Sequence, residues 1–568
     1  MQPRKKLPIF LIILTLIITL LMGCTANTTS SSTEPISKET ETTSKAVASA
    51  QTNNQTAISS QEPDELNSDK IAPDPITLTY FINFDPKASA TIQSYAEQDC
   101  YVYLEELTGV HIEFIHPPAE QVDEKFNLMV SSGDLADLIW RWWWGYPGGP
   151  GKAIDDGVII DIKPYMNEYA PNMTQIMEED PQIRKDMTTD DGRMYYFTFL
   201  HMWEWKRHTE GFMLRQDWLD RLNLKTPVTM DDWYDVLTAI KEQDANGNDD
   251  VNDEIPFVTS GIGGLHRFIP AYGILREFYL DPSSGKIEYG SIQPAYKDHV
   301  AEMTKWYKEG LIDADFAATD GKSFTAKITG NQAGSFGGFL AGNMSTFMGL
   351  MQNDPEFQLV GSKWPTVDTS KPNYNPSGIA ARAPEGSGVG ISPTNKYPEQ
   401  SVRWIDFQYS GEGHLAINFG REGLAYDMVD GKPVLKDFIL NDPDLSPVNM
   451  LSKYGQCPIW NSYIQDPDGF TQILKYPGVR ETADVFADSD KTLQLPPLTP
   501  NFDEAQKINS IMADIRTYVD ENYMSWITGT QTLDNYDAYT QAIKDMGIDE
   551  VIAIYEEALN RYNAREIS

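Results

Sequence analysis

Residues 215–257 read RQDWLDRLNLKTPVTMDDWYDVLTAIKEQDANGNDDVNDEIPF, and this stretch limits the fold more than any other. Thr229 is placed to cap a helix whose N3 residue is Asp232, and Met230, Trp233, Val236, Leu237 and Ile240 then recur three or four apart on one face. The spacing predicts a helix to about Gln243 that must lay its apolar stripe on another layer. Ile255-Pro-Phe-Val258 follows as a short strand, so helix and strand alternate within forty-three residues. Between them, Asp244, Asn246 and Asn248 put oxygen-bearing side chains at alternate positions around Gly247, with Asp250, Asn252, Asp253 and Glu254 close behind. That is ligand chemistry for a hard cation, because calcium takes six to eight oxygens and a tight loop converges them. An acidic, Asn-rich surface turn is the plainer reading of the same residues. The spacing departs from an EF-hand: position 6 from Asp244 is Asp249 where glycine is expected, and position 12 is Ile255.

The rest of the chain has the same α/β alternation. Ile76–Ile82 alternates as a strand, Tyr101–Leu107 continues a helix, and Val110–Ile115 alternates again. A helix from Glu124 to Val130 leads into Ser132-Gly-Asp-Leu-Ala-Asp-Leu-Ile-Trp140, read as another strand. At its end stand Trp140, Arg141, Trp142, Trp143 and Trp144, then a Gly-Pro loop. Four tryptophans in five residues cannot all enter one core at strand or helix spacing, so some line a cavity or face solvent. An indole flat against a sugar ring buries C–H surface on an electron-rich face. Asp191–Phe199 reads as a crossing strand that delivers His201, Trp203, Trp205, Lys206, Arg207 and His208, and Ser387–Ser392 as a second crossing. The C-terminus is helical: Ile508 to Ile527 keep one apolar face up to Gly529, Tyr536 to Met546 a second up to Gly547, and Val551 to Tyr562 a third.

Charge and termini narrow the class. Eighty-three acidic against forty-five basic residues leave a net −38, which argues against nucleic acid as a partner. Arg4, Lys5 and Lys6 precede an apolar run from Leu7 to Gly23, short for a membrane span and suited to a signal peptide at residues 1–23. Leu21-Met22-Gly23-Cys24 resembles the bacterial lipobox, which implies that the Cys24 thiol is acylated and anchors the chain at the extracellular face of the cell membrane. Residues 24–75 are rich in Ser, Thr, Gln and Asn and read as a disordered tether. Cys100 and Cys457 either pair with each other or stay as buried thiols. HExxH, GxSxG and spaced metal-ligating cysteines are missing, and no catalytic residue is expected.

Several of these stretches together resemble the family 1 extracellular solute-binding proteins, in particular their large lipoprotein members. Ser132–Trp140 is similar to the family's SGDLPDII strand. Gly157–Asp161 with Tyr165–Asn172, Asp191–Phe199, and Tyr397–Ser410 with Asn418–Tyr426 are similar to further family patterns. The resemblance runs from Ile76 to Tyr562. It implies an α/β, two-lobe, type II periplasmic-binding-protein-like fold, with a hinge between the lobes and a helical C-terminus. Residues 76–197 and 390–455 would form the N-terminal lobe, and residues 198–389 and 456–568 the C-terminal lobe with a calcium loop at 244–254. In the family that loop holds structural Ca2+. Carried across, the ligands are Asp244, Asn246, Asn248, Asp253 and Glu254 plus a carbonyl from Asp250 or Val251; one extra residue sits between Asn248 and Asp253 here.

The implied function is a lipid-anchored, monomeric binder that captures an oligosaccharide by hinge closure and delivers it to ABC-transporter permease subunits. Candidate sugar contacts are Trp140, Arg141, Trp142, Trp143, Trp144, His201, Trp203, Trp205, Arg207, His266, Phe339, Trp364 and Trp460. A glycoside-acting enzyme, or a ligand-sensing lipoprotein coupled to a sensor kinase, are the rival readings.

Overall fold

The computed structural model describes residues 70–85, 87–200, 202, 209–376, 387–456 and 461–565. The leader at 1–23, Cys24, the tether up to residue 69 and Cys457 lie outside the described residues. In chain order the strands are β1 (Ile76–Phe81), β2 (Val110–Ile115), β3 (Leu138–Trp142), β4 (Phe197–Thr198), β5 (Glu210–Arg215) and β6 (Ile255–Val258). A small hairpin follows, β7 (Phe278–Leu280) with β8 (Ile287–Tyr289), then β9 (Ala333–Phe339), β10 (Leu359–Ser362) and β11 (Ser387–Ile391). A second hairpin joins β12 (Tyr426–Val429) to β13 (Lys432–Leu435).

Two larger sheets organise the fold, one ordered β2-β1-β3-β11-β4 and the other β10-β5-β9-β6. In the first, β1 runs parallel to β2 and β3, and β11 runs antiparallel to both β3 and β4. In the second, β5 runs antiparallel to β9 and β10, and β6 runs parallel to β9. The carboxyl ends of β1, β2, β3 and β4 therefore share one edge with the start of β11. The carboxyl ends of β6, β9 and β10 share one edge with the start of β5. Residues 199–209 lead from the end of β4 to the start of β5, and residues 363–386 lead from the end of β10 to the start of β11. Both crossings connect the same two edges, and outside the carboxyl ends of strands is where open α/β sheets form their ligand crevices.

Side-chain alternation puts a different core on each face of the second sheet. Phe212, Leu214 and Phe257 join Trp218, Trp233, Phe268 and Trp306 in one core, completed by Met512, Val519 and Tyr523 of the helix Phe502–Ile527. Met213, Val258 and Phe336 join Phe347, Phe419, Phe470 and Phe486 in the other. The first sheet has its own core of Leu78, Tyr80, Leu138, Phe197 and Val389, covered by Trp404 and Ile405 of the helix Pro398–Phe407. Asp406 of that helix accepts the Met173 and Asn172 N–H groups at 2.8 and 3.1 Å and so caps the helix Pro171–Glu179.

The segment 390–455, expected in one lobe, enters two cores. Ala416 and Ile417 belong to the core of the first sheet, but Phe419 to Leu451 supply the core that contains Met213 and Phe336, inside the 390–455 segment expected in the N-terminal lobe. Gly420 makes the turn at φ 85°, under Tyr454, where an added Cβ would meet the Tyr454 carbonyl oxygen at 2.9 Å. The chain returns to the first lobe through Gln98 Nε2 donating to the Ser452 carbonyl at 2.6 Å and through the Leu200–Ile464 bridge. The expected crossing strand at 191–199 is also shorter, with only Phe197–Thr198 in the sheet. Upstream, Met194 donates its N–H to Asp161 Oδ1 at 3.0 Å and accepts from Ile162 at 2.9 Å, so its backbone groups are already paired away from the ladder. Among the described residues no helix is long and apolar enough to cross a membrane.

Candidate functional site

The register Tyr80↔Leu138 and Phe81↔Ile139 ends β1, with Ile82, Asn83 and Phe84 following it, while β3 runs on through Trp140, Arg141 and Trp142 at the carboxyl edge of the first sheet. Trp142, the last residue of β3, is 55% exposed, and its indole lies over Gly145, where a Cβ would collide with it. Trp140 and Trp144 are half-buried, and Trp144 Nε1 donates to the Tyr195 hydroxyl at 2.9 Å. Trp143 begins the 3-10 turn Trp143–Gly145 and is fully buried, its Nε1 donating to the Gly388 carbonyl at 3.0 Å. This corrects the expectation for Trp143: it is core, and Gly390 of β11 leaves room for it, since an added Cβ there would meet the indole at 2.8 Å. Arg141 stacks on the Phe126 ring with 4.4 Å to its centroid and pairs with Asp123 at 2.6 Å. Asn83 Oδ1 is buried at this edge with no partner among the described residues, a polar position the tryptophan cluster overshadows in sequence.

At the edge of the second sheet that the crossings reach, Phe339 closes β9 and is 49% exposed. Trp364 is instead buried, edge-on to Phe212 with centroids 5.3 Å apart, and is a core residue contrary to expectation. His266 ends the short helix Gly263–His266 and turns its ring onto Tyr523 at 4.6 Å. Burial, with Arg276 and His299 nearby, pushes the His266 pKa well below the ordinary imidazole value. Its Nε2 is enclosed without a partner among the described residues. Both Trp364 and His266 follow strand ends, where sequence cannot tell a residue that folds back onto the core from one that faces the crevice. His201, Trp203, Trp205, Arg207 and Trp460 lie outside the described residues. Glu210, which starts β5 beside Phe339, pairs with Arg267 through Nε at 2.9 Å; neither was singled out from sequence.

The acidic loop follows the helix Met230–Glu242, whose capping box pairs Thr229 and Asp232 as the spacing predicts. Asp244 Oδ1 accepts from the Gly247 and Asn248 N–H groups at 2.7 and 2.9 Å, and Oδ2 from Asp249 at 2.9 Å. Desolvation opposes ionisation of Asp244, but these three donors and Arg221 outweigh it and hold its carboxyl below the usual range. Gly247 and Asp249 both adopt positive φ, 77° and 69°, which curls the loop. Asn246 and Asn248 donate to the two carboxylate oxygens of Asp253 at 3.2 and 2.8 Å. Glu254 Oε1 accepts from Ala245 N at 2.9 Å, while Oε2 is buried without a partner among the described residues. The Asp250 carboxylate is turned outward to accept from Asn252, leaving only its carbonyl for a ligand. Among the described residues no three His, Cys, Asp or Glu side chains meet as a metal cluster. The loop offers carboxylates mixed with amide oxygens, a donor set that fits calcium better than a transition metal.

Two α/β lobes whose strand edges are linked by paired crossings define a hinged solute-binding protein. The chain belongs to the bacterial extracellular solute-binding protein family, whose profile matches residues 85–414. It is 26% identical over 495 residues to the fructooligosaccharide ABC transporter substrate-binding protein FusA of Streptococcus pneumoniae, covering 82% of this chain and 87% of that one. A solved structure of the alginate-binding protein AlgQ2 without calcium ion superposes with a TM-score of 0.69 at 25% identity, covering 88% of this chain and 100% of that one. FusA in complex with kestose superposes with a TM-score of 0.68 at 23% identity, covering 86% of this chain and 100% of that one.

Proposed function

We propose that this chain captures an oligosaccharide between the facing strand edges of its two lobes and delivers it unchanged to the permease of an ABC importer. The observation that carries this reading is an exposed indole, Trp142, at the carboxyl edge of the first sheet, with a second exposed ring, Phe339, at the edge its crossings lead to. Relatives named for fructooligosaccharide and alginate binding support it. Closure follows because a sugar touching both edges binds the closed form better and shifts the population toward it. Trp140 and Trp144 flank the indole; His201, Trp203, Trp205, Arg207 and Trp460 are the proposed contacts from segments adjoining the crossings. Acylation at Cys24 would keep the binder at the extracellular face of the membrane on its tether, as a monomer.

Calcium, when bound, would brace the loop structurally through Asp244, Asn246, Asn248, Asp253, Glu254 and the carbonyl of Asp250 or Val251. The partnerless Glu254 Oε2 supports this, since a buried carboxylate oxygen calls for a cation or donor. The test of the function is a panel of oligosaccharides titrated against tryptophan fluorescence, followed by recovery of the sugar. Saturable quenching with intact sugar is expected. New reducing ends would instead reveal a glycoside-acting enzyme.

A further inference from the structure

The cleft edge of the second sheet holds a constellation scattered over 130 residues of sequence. Glu210 opens β5 and stands directly opposite Phe339, the last residue of β9, so the two side chains leave the sheet on the same face. Arg267, just after the helix that follows β6, reaches across under Gly337, where an added Cβ would meet Arg267 Cδ at 2.7 Å. Its Nε and Nη2 both donate to Glu210 Oε1. The Glu210 side chain is only 10% exposed, yet with both bonds on one oxygen its Oε2 has no partner among the described residues. Arg267 Nη1 is likewise free of any partner there. The Phe339 ring beside them is half exposed, its strand end fixed by the Phe339 N–H donating to Asn343 Oδ1 at 2.9 Å.

We propose that Glu210, Arg267 and Phe339 form a subsite for one uncharged sugar ring carrying two neighbouring hydroxyls. This rests on the oligosaccharide reading above and specifies its charge class. Phe339 takes the C–H face of the ring. Glu210 Oε2 accepts from one hydroxyl while Arg267 Nη1 donates to the other. The pairing also compensates the Arg267 charge, so a uronic acid carboxylate would meet Glu210 Oε2 without a free cation to receive it. Acidic rings are selected against by that repulsion.

Calorimetric titration of the protein with kestose, maltotriose and trigalacturonic acid tests the assignment, with wild type, Phe339→Ala, Phe339→Tyr and Glu210→Gln compared and each variant's melting temperature checked. The expected result is binding of a neutral sugar in preference to trigalacturonic acid by about ten-fold or more. Phe339→Ala and Glu210→Gln lower neutral-sugar affinity by a similar factor, and Phe339→Tyr retains it. Glu210→Gln additionally raises relative affinity for trigalacturonic acid, because Arg267 is then uncompensated; a merely structural role for Glu210 would not do this. Preference for the acidic sugar, or neutral-sugar binding untouched in Phe339→Ala and Glu210→Gln, overturns the subsite while leaving the oligosaccharide reading intact. Wild type that binds none of the three sugars overturns that reading and the subsite with it.

Discussion

Trp142 and Trp143 are neighbours with opposite fates, and substituting each separates recognition from folding. Trp142→Ala removes a half-exposed indole; it should weaken sugar binding by about 2 kcal/mol or more while the melting temperature holds. Trp143→Ala empties a fully buried site and should cost about 3–5 kcal/mol in a denaturant titration. The sequence showed that four tryptophans in five residues could not all be core, but not which would be. The answer depends on where β3 ends: one residue past Trp142 the backbone enters a 3-10 turn and the next indole rotates inward. Asp406 gives a second residue-scale prediction. Desolvation raises its pKa to about 6, against the opposing pull of the Met173 and Asn172 N–H groups. The folded state therefore holds this proton more tightly than the unfolded state. The stability it contributes is full below the unfolded value near 4 and is lost as pH rises through about 6. Melting curves from pH 4 to 7 should show wild type losing stability relative to Asp406→Asn as pH rises; a constant difference would contradict this.

Among the elements, the helix Met230–Glu242 was legible almost residue by residue, because its capping box and its five buried positions are all local signals. The crossing strand before residue 200 was not, since the backbone groups of Met194 are taken by Asp161 and Ile162, partners some thirty residues away that no local pattern reveals. Trp364 and His266 were misplaced for a related reason: the turn after a strand end decides their direction, and tertiary packing decides the turn. The acidic loop between helix and β6 carries the element-scale prediction. Calcium at about 100 times its dissociation constant should add about 2.7 kcal/mol of stability, reversed by chelator. Asp244→Ala or Glu254→Ala should abolish the calcium-dependent shift in melting temperature; a melting temperature indifferent to both calcium and chelator would remove the site.

On the scale of the whole molecule, the α/β class and the helical C-terminus could be read from alternating periodicities, but the core that residues 419–451 join could not. Phe419 to Leu451 look like a continuation of the N-terminal lobe because they follow its helices directly, and only their sharing one core with Met213 and Phe336 places them with the second sheet. The docking of the last helix on residues 186–190 was equally invisible. Arg561 and Arg565 of the last helix and its end reach Asp190 at 2.7 and 2.6 Å, and Tyr562 donates to Asp186 at 2.7 Å, pairs more than 370 residues apart. Capture between the two strand edges, joined by their crossings, implies that the lobes close on the ligand. Small-angle X-ray scattering with and without the oligosaccharide that binds in the titration tests that closure most directly. The account predicts a smaller radius of gyration in the bound state. Saturating sugar bound with no contraction at all would contradict it.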